Sequence, residues 1–442
     1  MKNCKKYVAC LLILVLTLGA FCGCIKKTGD GSDTDEKTYA ELTIGLPFDE
    51  NSSCWSDLQT MIKDFEEMND AKVTLVTVPQ VGTDEYKDFI KKVGNNKIDM
   101  FYSAGNDALD DLVEDGTIMT ATVMNGKDSR ISESLLGFFK KLRVEADGAC
   151  YMIPVNAEYQ GIFYNKDVFQ KAGVAVPTDW NGLMSAIAAL KGKSVTPFAA
   201  GFSDGGQYWM DELIMSEGGI AEHSTMPSKG IITSWQRALN DLVNVYKAGA
   251  FSSSALDMTH ADAVAAFLNK ESAMIVCSSK DMAGIDDENI GFMLMPVPAG
   301  GQRKANTVVA KATGGFYFNT KAMNRAVDDS TSLSFVMIEF LNSYVASSDY
   351  YTAIFAEAGT LPVHKSLADA VSGSPATAGY TVFKAAEHAD MPISERMITF
   401  DSFVSGLKDV LDGTVKAADY LENVSNAEVK AQNEKFEALK DK

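Results

Sequence analysis

Hydrophobic residues in the region 39–114 alternate between short compact runs and helically spaced stripes. The runs at residues 42–46, 73–78 and 98–102 predict strands, because their apolar residues have no helical period. Helices are predicted between and after them, the last at residues 108–114. Two stripes mark the first helices: Leu58, Met61, Ile62, Phe65 and Met68, then Tyr86, Phe89, Ile90 and Val93. This alternation predicts a parallel sheet with crossover helices.

A second region of the same kind begins near residue 151. Compact apolar runs predict strands at residues 161–164, 196–200 and 272–277. Periodic segments predict helices after Trp180, at residues 234–247 and at residues 261–269. The chain from residue 402 onward has the amphipathic pattern of helices and adds no predicted strand. The whole pattern predicts an α/β fold with two lobes, in a chain long enough for both.

The first residues of the chain predict export. Lys2, Lys5 and Lys6 precede an apolar run at residues 7–21. At about 15 residues this run is shorter than the roughly 20 that a membrane span needs. A basic start followed by a short apolar run is typical of a secretory signal.

The residues after this run indicate how the exported protein is held. Gly23 and Cys24 match the small residue and the cysteine of a bacterial lipoprotein signal, in which the thiol is lipidated. A plain cleaved signal or an N-terminal anchor helix is the alternative. We expect a signal peptide at residues 1–23 and a flexible tether at residues 24–38, which has almost no apolar content. The predicted location is the extracellular face of the bacterial cell membrane.

Charge and cysteine content exclude several partners. The net charge of −19 argues against a nucleic-acid partner, because phosphate binding needs clustered Lys and Arg, and it disfavours a polyanionic ligand. Beyond the signal, Cys54, Cys150 and Cys277 are far apart and odd in number, so buried free thiols are expected instead of a disulfide framework. Four scattered histidines provide no metal-ligand spacing, and we expect neither a metal nor a cofactor.

One segment has the pattern of a serine hydrolase. Gly201 to Gly205 reads G-x-S-x-G between a predicted strand and a helix, which would make Ser203 a nucleophile. The pattern is permissive, no oxyanion segment precedes it, and the histidines carry no supporting motif. We therefore expect binding without catalysis, with a surface hydrolase that uses Ser203 as a distant alternative and an adhesion module as a further rival.

Aromatic and polar residues follow two of the predicted strands, at residues 102–107 and 203–209. In open α/β sheets ligands bind beyond the carboxyl ends of the strands. An aromatic face packs on the C–H face of a sugar, while Asn, Asp and Glu bond hydroxyls that would otherwise be buried without a partner. This favours a carbohydrate ligand, although Tyr and Trp at such places also occur as ordinary core residues.

Several segments resemble the extracellular solute-binding proteins of family 1. The residues that carry the resemblance are YNKD at 164–167 within the segment 161–173, PTDW at 177–180, FLNKESAM at 267–274, and the segments 295–301 and 359–363. Together they extend over nearly the whole mature chain. The resemblance implies two α/β lobes, each a mainly parallel sheet flanked by helices, that close around a ligand by hinge motion.

The resemblance also implies a domain organisation and partners. Lobe 1 is expected at residues 39–149 plus 315–368, and lobe 2 at residues 150–314 plus 369–442. The chain would cross between them near Cys150, Gly314 and Ala368. Family members deliver a small ligand to the permease of an ABC importer, so we expect a permease partner and a monomer. A sugar or an oligosaccharide is the favoured ligand, and a non-sugar polar solute is the alternative.

Candidate ligand-binding residues follow position by position from the strand ends and from the resemblance. They are Asp49, Glu50, Tyr102, Asn106, Asp107, Tyr208, Trp209, Gly314 and Asp401. Lys280 and Asp401 stand at or near positions where maltodextrin-binding members carry stacking tryptophans, which favours a smaller, more polar or charged ligand. Trp209 is expected in the cleft, with a core position as the competing interpretation and Tyr208 as the substitute.

Overall fold

The computed structural model describes residues 39–104, 107–127, 129–130, 151–227, 232–283, 285, 287–328, 331–367 and 378–440. The predicted signal peptide, tether and lipidated Cys24 lie outside these residues, as do Asn106, Cys150 and Ala368. Cys54 and Cys277 are buried free thiols, as expected. Among the helices of the described ranges, none combines the length and apolar character that a membrane crossing requires.

Ten strands form one continuous sheet within the described residues. They are β1 (Ala40–Leu46), β2 (Ala71–Thr77), β3 (Met100–Ser103), β4 (Ile153–Asn165), β5 (Thr196–Ala199), β6 (Ser272–Ser278), β7 (Ile290–Met293), β8 (Thr307–Phe318), β9 (Leu361–Pro362) and β10 (His388–Asp390). The main order is β2-β1-β3-β8-β4-β6-β5, with β7 and β9 paired to β4 and β10 paired to β8.

Fifteen α-helices accompany these strands in the described ranges. They are α1 (Trp55–Asn69), α2 (Asp84–Gly94), α3 (Asp110–Glu114), α4 (Ala121–Lys127), α5 (Lys166–Ala172), α6 (Trp180–Lys191), α7 (Gly206–His223), α8 (Thr233–Lys247), α9 (His260–Leu268), α10 (Thr320–Met323), α11 (Leu333–Glu339), α12 (Ser348–Tyr350), α13 (Tyr380–Lys384), α14 (Phe400–Leu411) and α15 (Ala417–Lys440). Two π-helical turns, Phe340–Val345 and Tyr351–Phe355, flank α12.

Two long strands run through both lobes of the sheet. Lobe 1 is built around β1, β2 and β3, which pair in parallel, and lobe 2 around β5, β6 and β7, in which β5 and β6 pair in parallel. β4 pairs antiparallel with β8 from Ile153 to Tyr159 and with β6 from Gln160 to Tyr164. β8 in turn pairs antiparallel with β3. The crossing strands β4 and β8 therefore join the two lobes, and the predicted two-lobed α/β fold is confirmed.

Lobe 1 buries apolar side chains on both faces of its parallel strands, as parallel sheets require. In lobe 1, Phe65 and Phe316 pack on one face, while Phe89 and Phe101 pack on the other. The predicted stripe of α1 is buried except for Met68, which is 78% exposed. Seven residues after the buried Met61, Met68 lies only about 20° from it around the helix, so its exposure reflects its place in the last turn of α1, one residue before the helix ends at Asn69. Met68 was therefore wrongly included in the buried stripe.

Candidate functional site: a polar strip between the lobes

The crossing strand β4 carries polar side chains at alternate positions. Asn156, Glu158 and Gln160 stand among apolar residues, and side chains two apart on a strand share one face. Glu158 is paired across the strands with Lys311 of β8, and their Oε1 and Nζ atoms lie 3.6 Å apart. Lys311 also binds Glu395 at 2.9 Å. An ion pair thus lies on the two strands that connect the lobes.

The pKa values of Glu158 and Lys311 are both raised, for different reasons. Burial raises the pKa of Glu158, against the effect of the nearby ammonium groups of Lys311 and Lys280. Burial by itself would lower the pKa of Lys311, but the carboxylates of Glu395 and Glu158 outweigh it and raise that pKa. A lysine that keeps its charge beside a carboxyl group of raised pKa offers a donor and an adaptable acceptor at one place.

Tyr102 and Gly314, both predicted as site residues, meet at the lobe 1 side of this pair. The Tyr102 hydroxyl at the end of β3 donates to Glu357 Oε1 at 2.9 Å. Burial, followed by the Glu357 carboxylate, raises the pKa of Tyr102. A Cβ atom on Gly314 would lie 2.1 Å from the Tyr102 hydroxyl oxygen, so the close approach requires glycine. Lys280 Nζ of lobe 2 lies 3.8 Å from Glu357 Oε2.

Asn156 of β4 makes hydrogen bonds to Tyr102 and to the segment 351–355. Its Nδ2 donates to the Phe355 carbonyl at 2.7 Å and lies 3.4 Å from the Tyr102 hydroxyl, while its Oδ1 accepts from the Tyr351 hydroxyl at 2.6 Å. Tyr351 and Phe355 begin and end the second π-helical turn. π-turns are uncommon and occur often at functional sites. The turn therefore ties lobe 1 to the crossing strand.

Tyr208 lies on the lobe 2 side, in the first turn of α7. Its ring stacks on His260, with the centroids 4.4 Å apart and the planes at 28°. His260 Nε2 lies 3.0 Å from Asp281 Oδ2. Burial, followed by the carboxylates of Asp281 and Glu158 among the nearby groups, raises the pKa of Tyr208. We refer to the set of residues that faces this region from both lobes as the polar strip: Tyr102, Glu158, Tyr208, Lys280, Lys311 and Glu357.

Trp209 does not line the cleft, and the structure contradicts that prediction. Its side chain is 1% exposed and packs edge-on against Phe198 and Phe251, with centroids 4.8 and 5.1 Å away. Adjacent helical residues point about 100° apart, so Tyr208 and Trp209 cannot share a face. The alternative interpretation, a core residue of lobe 2, is the one that the structure shows.

The remaining predicted site residues have separate places. The Asp49 carboxylate accepts from Asn51 N–H at 2.9 Å and from the Ser52 hydroxyl at 3.3 Å, which commits it to its own turn. Glu50 is exposed beside it. Asp107 begins a short 3-10 helix, Asp107–Leu109, after β3.

Asp401 lies in helix α14. It is exposed in the first turn of α14, and no hydrogen bond joins it to the polar strip within the described ranges. A carboxylate in the first turn of a helix is favourably placed toward the positive end of the helix dipole, which is a sufficient structural role.

The G-x-S-x-G segment is explained by close packing. A Cβ atom on Gly201 would lie 2.2 Å from the Thr259 carbonyl oxygen, and one on Gly205 would lie 2.8 Å from His260 Cβ. The Ser203 hydroxyl donates to the Met258 carbonyl at 2.9 Å. Both glycines are therefore required where the chain meets the start of α9, a reason that is independent of any nucleophile.

Sequence reasoning missed most of the charged members of the polar strip. Glu158, Lys311 and Glu357 were not predicted, and Lys280 was noted only as a departure from the family pattern. A signal was present for Glu158: Asn156, Glu158 and Gln160 alternate within a strand that is otherwise apolar. Glu357 gave no comparable signal, because it meets Tyr102 across 255 residues of chain.

A hinged, two-lobed protein with polar groups on its crossing strands has the architecture of a binding protein. Residues 60–382 match the family model described as bacterial extracellular solute-binding protein. This match extends over most of the chain. The chain therefore belongs to the bacterial extracellular solute-binding protein family.

Individual relatives agree with this family. A multiple sugar-binding protein of Streptococcus mutans serotype c (strain ATCC 700610 / UA159) is 36% identical over 55 residues, which are 12% of this chain and 13% of that protein. The chain thus matches only a small part of that relative's length. A probable secreted solute-binding lipoprotein from Streptomyces coelicolor has a TM-score of 0.70 at 17% identity, over 89% of this chain and 100% of that one. The solute receptor AcbH, reported to prefer β-D-galactopyranose, has a TM-score of 0.66 at 14% identity, over 90% and 98%.

Proposed function

We propose that this protein captures a sugar or an oligosaccharide between its lobes and delivers it to the permease of an ABC importer. The observation that carries the proposal is the position of the polar strip. Glu158 and Lys311 lie on the two strands that cross between the lobes, and Lys280 of lobe 2 faces Glu357 of lobe 1. A ligand held there would contact both lobes at once, which couples binding to hinge closure.

The loose geometry of the Lys280–Glu357 pair supports a ligand role. The side chains are 52% and 36% exposed, and their closest atoms lie 3.8 Å apart, beyond hydrogen-bond distance. A vicinal pair of sugar hydroxyls would accept from the ammonium group and donate to the carboxylate, so it would complete both groups. Each such group left unpaired on closure would cost about 1–3 kcal/mol.

We also propose that the mature protein is anchored through Cys24, acts as a monomer, and has its lobe boundaries near residues 150, 315 and 368. The lipoprotein signal at Gly23 and Cys24 supports the anchor. The test is release: Cys24→Ala should leave the protein unprocessed or free in the medium. Firm membrane attachment and normal processing of this variant would contradict the anchor.

Thermal-shift measurement and calorimetry on the mature chain test ligand capture. The probes are D-galactose, raffinose, maltotriose, xylotriose and chitotriose, with galacturonate, amino acids and polyamines as contrast. A sugar at a hundredfold excess over its dissociation constant should add about 2.7 kcal/mol of stability. Stabilisation only by a charged contrast compound would instead support the non-sugar alternative.

Substitution of Lys280 connects the result to the polar strip. Lys280→Met should weaken sugar binding at least tenfold, because it removes a donor and leaves Glu357 unneutralised. Lys304→Met is the matched control, since Lys304 is exposed in the loop before β8. Equal affinity of both variants for the sugar would contradict the proposed site.

A further inference from the structure

His260 is held from three sides where segments at the carboxyl ends of β5 and β6 meet. It is the first residue of α9, and its main-chain N–H donates to Asp204 Oδ1 at 2.6 Å. Its imidazole Nε2 lies 3.0 Å from Asp281 Oδ2. Gly205 packs directly on it, at a distance that leaves no room for another side chain. The imidazole therefore has one well-defined orientation.

The Asp281 carboxylate is itself held in place by the main chain. Its Oδ2 also accepts the main-chain N–H of Ser278 at 2.9 Å, in a capping box that begins the 3-10 turn Ser279–Met282. This turn directly follows β6 and contains Lys280 of the polar strip. A carboxylate that orients an imidazole in this way is a common device for setting the ring plane.

The imidazole ring held in this way stacks on the ring of Tyr208. The two rings lie 4.4 Å apart at 28°, in the offset-stacked range. Tyr208 is half-buried, and burial, together with the carboxylates of Asp281 and Glu158, raises the pKa of its hydroxyl. The His260 ring thus lies directly beside the polar strip, to which Tyr208 belongs.

We propose that His260 is a positioning residue that holds the Tyr208 ring as a rigid platform, and that the platform selects ligands with a ring over open-chain polyols. The inference rests on the proposed function and adds a ligand feature to it. A pyranose has a flat C–H face that packs on an aromatic ring, whereas the acyclic alditol obtained from it has none.

Two variants separate the ring of His260 from its hydrogen bond. His260→Phe retains a ring against Tyr208 but loses the bond to Asp281, and His260→Gln retains a hydrogen-bonding group but loses the ring. His388→Gln is the control, because His388 lies on β10 and is outside the polar strip. Affinities are measured with the reducing sugar of the panel that binds the natural protein most tightly, and with the alditol made by reducing it, in which the reducing-end ring is opened.

We expect His260→Gln to weaken sugar binding about tenfold and to reduce the preference for sugar over alditol, while His260→Phe loses less and His388→Gln loses nothing. The Cε1–H proton signal of His260, identified by its loss in His260→Phe, should shift when sugar is added. A purely structural residue would lower the melting temperature of the ligand-free protein without changing the sugar-to-alditol preference.

Two results would overturn the inference. One is binding by His260→Gln within twofold of the natural protein with the sugar-to-alditol ratio unchanged, and the other is a His260 signal that sugar does not move. Both leave the proposed function intact. A natural protein that binds no sugar of the panel would remove the proposed function and this inference together.

Discussion

Two polar regions on helix α7 differ in how deeply their side chains are buried. At its start, Tyr208 belongs to the polar strip, in which the Lys280 and Glu357 side chains are 52% and 36% exposed. Near its end, His223 is fully buried between Asp211 at 3.1 Å and Asp390 at 2.7 Å. We call His223, Asp211, Asp390 and Arg396 the buried clamp, because they fasten the segment after β10 to α7.

The buried clamp is a structural network. Arg396 donates to the carbonyls of His223 and Met391, and Asp211 accepts from Ile393 N–H at 2.8 Å. Burial by itself would lower the pKa of His223, but hydrogen bonds to Asp211 and Asp390 outweigh it and raise that pKa. The side chains of the clamp are 0–15% exposed, and Asp211 Oδ2 and Arg396 Nε and Nη1 are buried in it without a hydrogen-bond partner among the described residues. In the polar strip, by contrast, Lys280 and Glu357 are 52% and 36% exposed and can be reached by a ligand. Exposure, more than residue type or complete pairing, therefore separates structural from functional polar groups here.

The largest expected effect concerns Trp209, which lies in the core directly after Tyr208. Trp209→Ala should lower the free energy of unfolding of the ligand-free protein by about 4 kcal/mol, since it opens a cavity among Phe198 and Phe251. Chemical denaturation measures it, with Tyr208→Ala as the matched variant that should cost much less. A small loss at Trp209 together with abolished sugar binding would restore the cleft interpretation.

Breaking the buried clamp should cost slightly less. Asp211→Ala should lower the free energy of unfolding by about 3 kcal/mol, because it leaves His223 buried beside one carboxylate. Sugar affinity should remain within twofold. Because its folded pKa is raised, the contribution of His223 is complete below its unfolded pKa and is lost as the pH rises through the folded pKa. If Asp211→Ala lowers the free energy of sugar binding by more than it lowers the free energy of unfolding, the division between the two regions is wrong.

Removing a carboxylate from the polar strip should have the opposite profile. Glu357→Gln should reduce sugar affinity by about 1–3 kcal/mol, while the melting temperature of the ligand-free protein changes little, because the amide oxygen can still accept from the Tyr102 hydroxyl. Calorimetry with the tightest sugar measures the first effect. Glu67→Ala, an exposed change on α1, is the control and should alter neither quantity.

Asp241 of α8 is partly buried, so it is intermediate in burial between the clamp and the exposed pair of the polar strip. Its substitution should change the free energy of unfolding by the smallest amount. Burial, followed by a hydrogen bond to Glu217, raises the pKa of Asp241 to about 7. An acid whose folded pKa is raised is penalised when it ionises, so stability should fall as the pH rises from about 4 to 7. Asp241→Asn should remove that fall and be more stable than the natural protein at pH 8 by less than about 1 kcal/mol. If the free energy of unfolding depends on pH in the same way in Asp241→Asn and in the natural protein, Asp241 and Glu217 do not share a proton.

Local pattern was sufficient for the fold but only partly for the site. The stripe of α2 at Tyr86, Phe89, Ile90 and Val93 is buried as predicted, because helical periodicity reports which face meets a sheet. Trp209 was placed wrongly because one helical step decides between cleft and core, and large aromatic residues suit both. Lys280 meets Glu357 only through the fold of two lobes, so no spacing along the chain could predict that pair.

A crystal structure of the mature protein with its tightest sugar would show where the ligand binds. We expect sugar hydroxyls within hydrogen-bond distance of Lys280 and Glu357, with a ring face on Tyr208. The structure offers a concrete rival, a pocket of about 780 Å³ at the amino ends of β1 and β2, where Arg325 pairs with Asp99 at 3.1 Å. Sugar bound in that pocket, with the polar strip empty, would contradict a binding site between the lobes.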